Sequence, residues 1–367
     1  MKIEKIEAIP FTIPLKSPTG FSHATIADAE HVLIRVRTDD GLVGQAEAPA
    51  RPFTYGESQE SIVAAVRKWF VPALTGLDPF QREVVRARMD WLAHNHTAHG
   101  AIDMALWDLI GQACGQSVHR LLGGYTDTVP VTHILFEGTP ERMVDEAVAM
   151  RERHGFGTFK IKTGVDPQAD IAAMRKLRAA LGDDVELYID SNKGWTSQQA
   201  VFLLPVMQEV GITMLEEPTK GLEPLARRRL ARHTSIPILG DESVSRLGEV
   251  AMHVLDDHSQ MISIKTARTG FTESQKIVGL CEGLGVGLVM GSQMDGMVGA
   301  LGTLTFGAAF RSTARRAGEY GYFMNLTDDL LTDPLEVVDG CLPVRDRPGV
   351  GIEIDEDKLR HYRVDLG

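Results

Sequence analysis

The second half of the chain repeats short apolar runs that are separated by segments with helical spacing. Seven of these runs are predicted to be buried parallel strands: VPVTHILF, TFKIKTG, VELYIDS, ITMLEEP, PILGDES, MISIKTA and GVGLVMGS. The segments between them, such as PQADIAAMRKLRAALG, place apolar residues on one face of a helix. An eighth, weaker strand is predicted just before Glu319. Because the unit repeats at roughly 25 residues, this part of the chain is predicted to form a βα barrel.

The first part of the chain follows a different pattern. Residues 1–50 alternate in the manner of strands, with a DDG turn between two β-rich runs. From Ser58 to about Leu122 the spacing becomes helical. Strands followed by helices predict an α+β domain instead of a βα repeat. We therefore expect an α+β domain over residues 1–125, a barrel over 126–325, and a turn-rich segment over 326–367 that returns to the first domain.

The composition favours a folded protein without a nucleic-acid surface or a membrane span. The 367 residues are 43% hydrophobic, and the formal net charge of -12 argues against a general nucleic-acid surface, which needs clustered Lys and Arg. The N-terminal residues lack a long apolar signal segment, and no stretch resembles a membrane span. Cys114, Cys281 and Cys341 are widely separated and form no CxxC motif, which favours a reduced, cytoplasmic protein.

Six charged residues end successive predicted strands of the barrel. They are Lys160 and Lys162 on the second strand, Asp190 on the third, Glu216 on the fourth, Asp241 on the fifth and Lys265 on the sixth. The carboxyl ends of barrel strands meet at one mouth, so these side chains are expected to converge. Three carboxylates suit Mg²⁺ or Mn²⁺, whereas zinc and copper more often bind His or Cys. A single acid at such a position is as often a helix cap or a solvated loop residue, but three on successive strands favour a metal site.

The lysines predict proton transfer beside that metal. Lys160 and Lys162 are two residues apart and therefore project from one face of their strand. Their mutual repulsion is expected to lower the ammonium pKa toward the range that a general acid or base requires. Lys265, four strands further around the ring, would face them across the mouth. Asn192 follows Asp190 by two residues and is expected on the same side, where it would support the metal site. The alternative, a pair of surface lysines on an edge strand, fits poorly with a strand flanked by helices.

Several motifs resemble the enolase superfamily in its muconate-lactonizing branch, in order and in spacing. They are KIK at 160–162, DSNKGW at 190–195, LEEP at 215–218, GDES at 240–243, SIK at 263–265, GAIDMALWDLIGQACGQSVHRLLGG in the first domain and PGVGIEID near the end. The resemblance covers essentially the whole chain. It implies an α/β fold, a modified (β/α)7β TIM-type barrel, with an α+β capping domain that both termini build. It also implies a homo-oligomer, often an octamer.

The resemblance further implies a role for each charged residue. Mg²⁺ or Mn²⁺ would bind Asp190, Glu216 and Asp241, and Lys162 and Lys265 would form an acid/base pair. Lys160 would hydrogen-bond the substrate carboxylate and tune Lys162. Substrate binding is also assigned to further residues on the barrel and the capping loops: Asn192, Asp295, Glu319, His23 and Arg51.

Three reactions share this scaffold: muconate cycloisomerisation, o-succinylbenzoate synthesis, and epimerisation of dipeptides or N-acyl amino acids. Dipeptide epimerases of this family usually carry an acidic DxD at the eighth strand, where this chain has Glu319-Tyr320-Gly321. The expected reaction is therefore conversion of cis,cis-muconate to muconolactone, with His23 and Arg51 near the second carboxylate of a dicarboxylate substrate. Relatives in this branch commonly have a second Gly where this chain has Phe271, so the resemblance does not determine the conformation of the neighbouring loop. A catalytically silent barrel that binds small acids is the non-enzymatic alternative.

Overall fold

The first domain is a three-stranded antiparallel sheet followed by helices. The structure is a computed structural model that describes residues 1–21, 24–220 and 224–364. The sheet consists of β1 (Ile3–Phe21), β2 (Ala24–Thr38) and β3 (Val43–Pro49), paired in that order. The helices are α1 (Pro52–Tyr55), α2 (Gln59–Ala65), which continues through a π-helical turn (Val66–Phe70) into α3 (Val71–Leu74), α4 (Arg82–Met89), α5 (His96–Cys114) and α6 (Val118–Leu122). The predicted α+β pattern of strands followed by helices is confirmed.

The second part of the chain is a parallel sheet of seven strands that lie in chain order. A short strand, β4 (Thr128–Pro130), precedes them. The seven are β5 (Thr132–Leu135), β6 (Thr158–Lys162), β7 (Glu186–Asp190), β8 (Ile212–Glu216), β9 (Ile238–Gly240), β10 (Met261–Ile264) and β11 (Gly287–Met290). The helices that alternate with them are α7 (Pro140–His154), α8 (Pro167–Leu181), α9 (Ser197–Glu209), α10 (Pro224–His233), α11 (Leu247–Leu255), α12 (Thr266–Leu284), α13 (Met297–Gly307) and α14 (Arg311–Ala314). Residues of these strands are almost all buried, as expected for a parallel sheet that helices cover.

A short segment closes the barrel between its two edge strands. The Glu319 amide donates to Met290 O on β11 at 2.9 Å, and the Thr132 amide on β5 donates to Gly318 O at 2.8 Å. The Gly318 amide also donates to Pro130 O at 3.1 Å. This segment occupies the place predicted for the eighth strand, although it is too short to form a full strand.

The C-terminal segment runs from the barrel back to the first domain. After a 3₁₀ turn (Tyr322–Asn325), β12 (Cys341–Pro343) pairs with β4 in antiparallel orientation, and α15 (Glu356–Tyr362) follows. The Thr327 amide donates to Pro14 O at 3.0 Å, and the Val364 amide donates to Pro10 O at 2.9 Å, so the segment lies along β1. Within the described part of the chain, no helix combines the length and apolar character that crossing a bilayer requires.

Phe271 belongs to the core and not to the barrel mouth. Helix α12 breaks at Gly270, which has a φ of 60°, and the Asp103 carboxylate accepts a hydrogen bond from the Thr272 amide at 2.9 Å. Phe271 is fully buried and stacks on Phe306 of α13. The unusual residue at this position therefore packs two helices together.

Candidate active site

The parallel register brings the charged strand ends side by side. Lys162 on β6 pairs with Asp190 on β7, and Asp190 pairs with Glu216 on β8. Asp241 directly follows β9, and Lys265 directly follows β10. The side chains that the sequence places at successive strand ends thus lie at one end of the barrel.

Lys160 lies at the centre of a buried group of acids. Its Nζ is 3.0 Å from Asp190 Oδ2, 2.8 Å from Glu216 Oε2 and 2.7 Å from Glu319 Oε1. The hydroxyl of Tyr188 donates to Glu319 Oε1 at 2.9 Å. Burial lowers the pKa of Lys160, but the three carboxylates outweigh it and raise that pKa well above its usual range. Lys160 is therefore a fixed positive charge.

Lys162 is held by the next strand and the loop after it. Its Nζ donates to Asp190 Oδ2 at 2.6 Å and to Asn192 Oδ1 at 2.7 Å. Burial opposes the ionisation of Asp190, but Lys160 and Lys162 lower its pKa to about 2. Asn192 reaches Lys162 because the backbone turns at a φ of 43°, and not because of the strand alternation assumed from the sequence.

Lys265 is bound to Asp241 on the opposite side of the mouth. Its Nζ donates to Asp241 Oδ2, while Nη1 of Arg268 donates to Asp241 Oδ1 at 2.9 Å. Burial lowers the pKa of Lys265, but the Asp241 carboxylate raises it above the usual range. The lowered ammonium pKa that the sequence suggested for Lys160 is therefore wrong, because carboxylates contact the ammonium group of Lys160 directly.

A cavity of about 120 Å³ lies between the barrel end and the first domain. Lys162 and Lys265 both line it, from strands that are four positions apart. Asp190 and Glu216 lie behind the lysines and do not line the cavity. The two candidate proton carriers therefore line the same cavity from strands on opposite sides of the barrel mouth.

A mainly apolar part of the cavity lining carries one arginine. It is formed by Arg51, Phe53 and Thr54 after β3, Ile134 and Phe136 at the end of β5, and Met294 and Tyr322. Arg51 is buried, and Nη1 donates to Ala50 O at 2.6 Å. Nε and Nη2 of Arg51 have no hydrogen-bond partner among residues 1–21, 24–220 and 224–364. An anionic group in the cavity would satisfy them.

Comparison with known proteins assigns the fold and this site to one family. Residues 142–358 match the enolase C-terminal domain-like family, and residues 5–123 match the N-terminal domain of the mandelate racemase / muconate lactonizing enzyme family. The chain belongs to the enolase superfamily. It lies in the muconate-lactonizing branch, as the sequence motifs predicted.

Solved structures and relatives in this superfamily cover nearly the whole chain. A muconate lactonizing enzyme from Mucobacterium Smegmatis, complexed with muconolactone, is 49% identical with a TM-score of 0.98, over 100% of both chains. A chloromuconate cycloisomerase from Cupriavidus pinatubonensis is 32% identical over 99% of both chains. A dipeptide epimerase from Enterococcus faecalis, complexed with Mg and the dipeptide L-Leu-L-Tyr, is 28% identical with a TM-score of 0.92, over 99% of this chain and 100% of that one.

The three acids of this superfamily member have the donor chemistry that a hard divalent cation prefers. Both carboxylate oxygens of Glu216 are buried and accept no hydrogen bond of good geometry from a described residue, although Lys160 Nζ is 2.8 Å away. Burial and the adjacent Asp190 raise the pKa of Glu216 well above its usual range. A bound cation would compensate this carboxylate, so the residues fit the group.

The ammonium groups of the lysines lie between the acids. Across the described residues, no three His, Cys, Asp or Glu side chains form a cluster ready to hold a metal ion. The ammonium groups of Lys160 and Lys265 instead contact the acids directly. Metal binding by Asp190, Glu216 and Asp241 would therefore require those ammonium groups to move aside.

Two of the predicted substrate-binding residues are not placed at the cavity. Asp295 does not line it: its Oδ2 accepts from the Ser292 hydroxyl at 2.9 Å and from the Gln293 amide at 3.1 Å. His23 lies outside the described residues. Asn192, Glu319, Lys160 and Arg51 do line the cavity.

Sequence reasoning missed a buried ion pair that supports the acids from behind. Glu217 and Arg227 are both fully buried and bonded to each other. Glu217 Oε1 also accepts from the amides of Asp241 at 2.7 Å and Ser243 at 3.1 Å. The backbone at Glu217 has a φ of 40°, which turns this side chain away from the direction of Glu216. The signal in the sequence was the second acid of LEEP, which has no role at the mouth.

Proposed function

We propose that this chain is a divalent-metal-dependent cycloisomerase that converts cis,cis-muconate to muconolactone. The observation that carries the proposal is the placement of Lys162 and Lys265 on opposite sides of one cavity, whose lining also includes Arg51 and apolar side chains. Similarity to the muconate lactonizing enzyme and the chloromuconate cycloisomerase supports the same reaction class.

The reaction balances with one lysine acting as an acid. A carboxylate oxygen of cis,cis-muconate forms a C–O bond to the conjugated system, and the displaced π electrons move toward the other carboxylate as an enolate. A lysine ammonium then gives its proton to the α-carbon of that enolate. The dianion has become a lactone monoanion with net uptake of one proton, so the lysine regains its proton from solvent. Whether Lys162 or Lys265 acts decides the face of protonation.

The fixed charges of the site suit a dicarboxylate. Lys160 remains positive beside the strand ends and would bind the substrate carboxylate that becomes part of the enolate. Arg51, with two nitrogens free of described partners, would bind the second carboxylate. Asp190, Glu216 and Asp241 would hold Mg²⁺ or Mn²⁺. Bound there, the cation would supply the positive charge that stabilises an enolate beside a carboxylate.

Epimerisation of a dipeptide or N-acyl amino acid is the second candidate, because the dipeptide epimerase shares the fold. Each acid that lines the cavity already faces a lysine: Asp241 with Lys265, Glu242 with Lys193 and Glu319 with Lys160. Tyr320, which follows Glu319, is buried in the core. A substrate ammonium group would thus find no unpaired acid among the described lining residues, which favours the dicarboxylate.

The test is direct turnover. Purified protein with Mn²⁺ should remove the diene absorbance of cis,cis-muconate, and Lys162→Ala and Lys265→Ala should each lower kcat at least about a hundredfold. Lys176→Ala, an exposed lysine on α8, is the matched control and should retain full activity. No absorbance change at high enzyme concentration would overturn the cycloisomerase. Exchange of substrate α-protons in D₂O, across N-acyl amino acids and dipeptides, would then test the epimerase. A homo-oligomeric, cytoplasmic protein remains part of the proposal.

A further inference from the structure

A buried arginine joins the barrel acid Asp241 to the first domain. Arg268 on α12 is 3% exposed. Its Nη1 donates to Asp241 Oδ1 and to the hydroxyl of Tyr55, each at 2.9 Å, and its Nη2 donates to Ser263 O at 2.9 Å. Nη2 also donates to Val244 O at 3.4 Å, so the planar guanidinium group holds four partners in one fixed arrangement.

Tyr55 connects this arginine to the wall of the cavity. It is the last residue of α1, and the two residues before it, Phe53 and Thr54, line the cavity. Its hydroxyl also accepts from Gln293 Nε2 at 2.5 Å, and its ring packs against His96 with centroids 5.2 Å apart. The hydroxyl oxygen of Tyr55 thus connects α1, which lies over the cavity, to two barrel side chains, Arg268 and Gln293.

We propose that Tyr55 and Arg268 are a positioning pair, which sets the orientation of the Asp241 carboxylate according to the position of α1 over the bound substrate. The inference rests on the proposed function, because Asp241 belongs to the same site. Neither residue transfers a proton. Loss of the Tyr55 hydroxyl would remove the contact that ties the guanidinium, and through it the Asp241 carboxylate, to α1.

The pair makes a specific kinetic prediction for Tyr55→Phe. The aromatic ring and its packing on His96 remain, but the buried guanidinium loses an acceptor. Hydrogen bonds to charged groups are strong enough that kcat should fall about tenfold, with KM changed less than about twofold. A role of Tyr55 only in holding Phe53 and Thr54 in place would instead raise KM and leave kcat unchanged, and that result would overturn the proposal. Tyr125→Phe, an exposed tyrosine, is the matched control.

A double-mutant cycle tests whether Tyr55 acts through Arg268. Arg268→Lys keeps the positive charge but removes the planar set of guanidinium N–H donors. In that background, Tyr55→Phe should have less than about a twofold further effect on kcat. An undiminished tenfold loss in that background would overturn the pair. Arg268→Met serves as a second background if it folds with the wild-type circular dichroism spectrum.

Thermal unfolding of the same variants needs no substrate and separates the two proposals. If the double variant Tyr55→Phe/Arg268→Lys shifts Tm by an amount different from the sum of the two single shifts, the shifts are coupled and support the hydrogen-bonded pair. Additive shifts would overturn the pair. Coupled shifts in a protein that does not consume cis,cis-muconate would overturn the proposed function alone.

Discussion

Asp108 joins three parts of the chain through one buried carboxylate, and its titration should be visible in the stability of the protein. Oδ1 accepts from the Val350 amide at 2.7 Å, and Oδ2 accepts from the Gln45 amide at 3.0 Å and from Gln112 Nε2 at 3.1 Å. These donors belong to the C-terminal segment, to β3 and to α5 itself. Burial raises the pKa of Asp108 to about 7 against the three N–H groups, which lower it.

The direction of the effect follows from this raised pKa. The folded state binds the proton of Asp108 more tightly than the unfolded state, whose pKa is about 3.9. The contribution of this group to stability is therefore complete below about pH 4 and is lost as the pH rises through 7. At about 1.4 kcal/mol per pKa unit, the part of this interval between pH 5 and 7 corresponds to about 3 kcal/mol.

Asp108→Asn removes the titration and keeps the shape of the side chain. Urea unfolding of wild type and variant at several pH values measures the difference between their free energies of unfolding. Between pH 5 and 8 this difference should move in favour of the variant by about 3 kcal/mol. Asp346→Asn, in the same segment but 67% exposed, should show no such drift. A difference that moves in favour of the wild type with rising pH would refute the reasoning, because the three N–H donors would then have outweighed burial.

Three further predictions concern packing, the buried ion pair and the cation. Gly349→Ala should lower the free energy of unfolding, measured with urea, by several kcal/mol, because an added Cβ would overlap Asp108 Oδ1. Gly41→Ala is the control: Gly41 has a similar positive φ but open space around it, so this variant should lose only about 1 kcal/mol. Glu217→Gln should lower the free energy of unfolding by about 3–5 kcal/mol, because it leaves the Arg227 guanidinium buried without a counter-charge. Glu209→Gln, in the exposed ion pair with Arg175, is the control and should change the free energy of unfolding by less than about 1 kcal/mol. Removal of divalent cations with a chelator should abolish muconate turnover and leave the far-ultraviolet circular dichroism spectrum unchanged. Addition of Mg²⁺ or Mn²⁺ should restore activity. Full turnover in the presence of the chelator would contradict the assignment of Asp190, Glu216 and Asp241 as metal ligands.

The barrel and its charged strand ends could be predicted because they follow from local pattern. A buried parallel strand is an apolar run, and a charge at its carboxyl end must leave the core for the mouth. Lys162, Asp190 and Glu216 therefore fall into register without knowledge of any distant contact. The closing segment at Glu319 could be placed for the same reason, although its few residues left its length undetermined.

The supporting contacts could not be predicted, because they depend on backbone turns and on the docking of distant segments. Asn192 and Glu217 both have positive φ values, so the two-residue alternation of a strand no longer gives the direction of their side chains. The contact between Tyr55 and Arg268 spans 213 positions in the chain and forms only when the first domain packs on the barrel. Asp295 is a different case: it was predicted to bind the substrate, but it does not line the cavity, and its carboxylate accepts hydrogen bonds from Ser292 and Gln293.

Under the proposed function, substrate choice would depend on the side chains that line the cavity, including those that the first domain contributes. Relatives named for different reactions share the fold over nearly the whole chain, so the fold alone does not select among those reactions. Under the proposed function, the lysines and acids at the strand ends would supply proton transfer and fixed charge near a carboxylate, which cycloisomerisation and epimerisation both require. The lining side chains that would distinguish a second carboxylate from an ammonium group include Arg51, which is the charged side chain among the described lining residues of the first domain. Replacement of Arg51 by a neutral residue should therefore raise KM for a dicarboxylate far more than it lowers kcat.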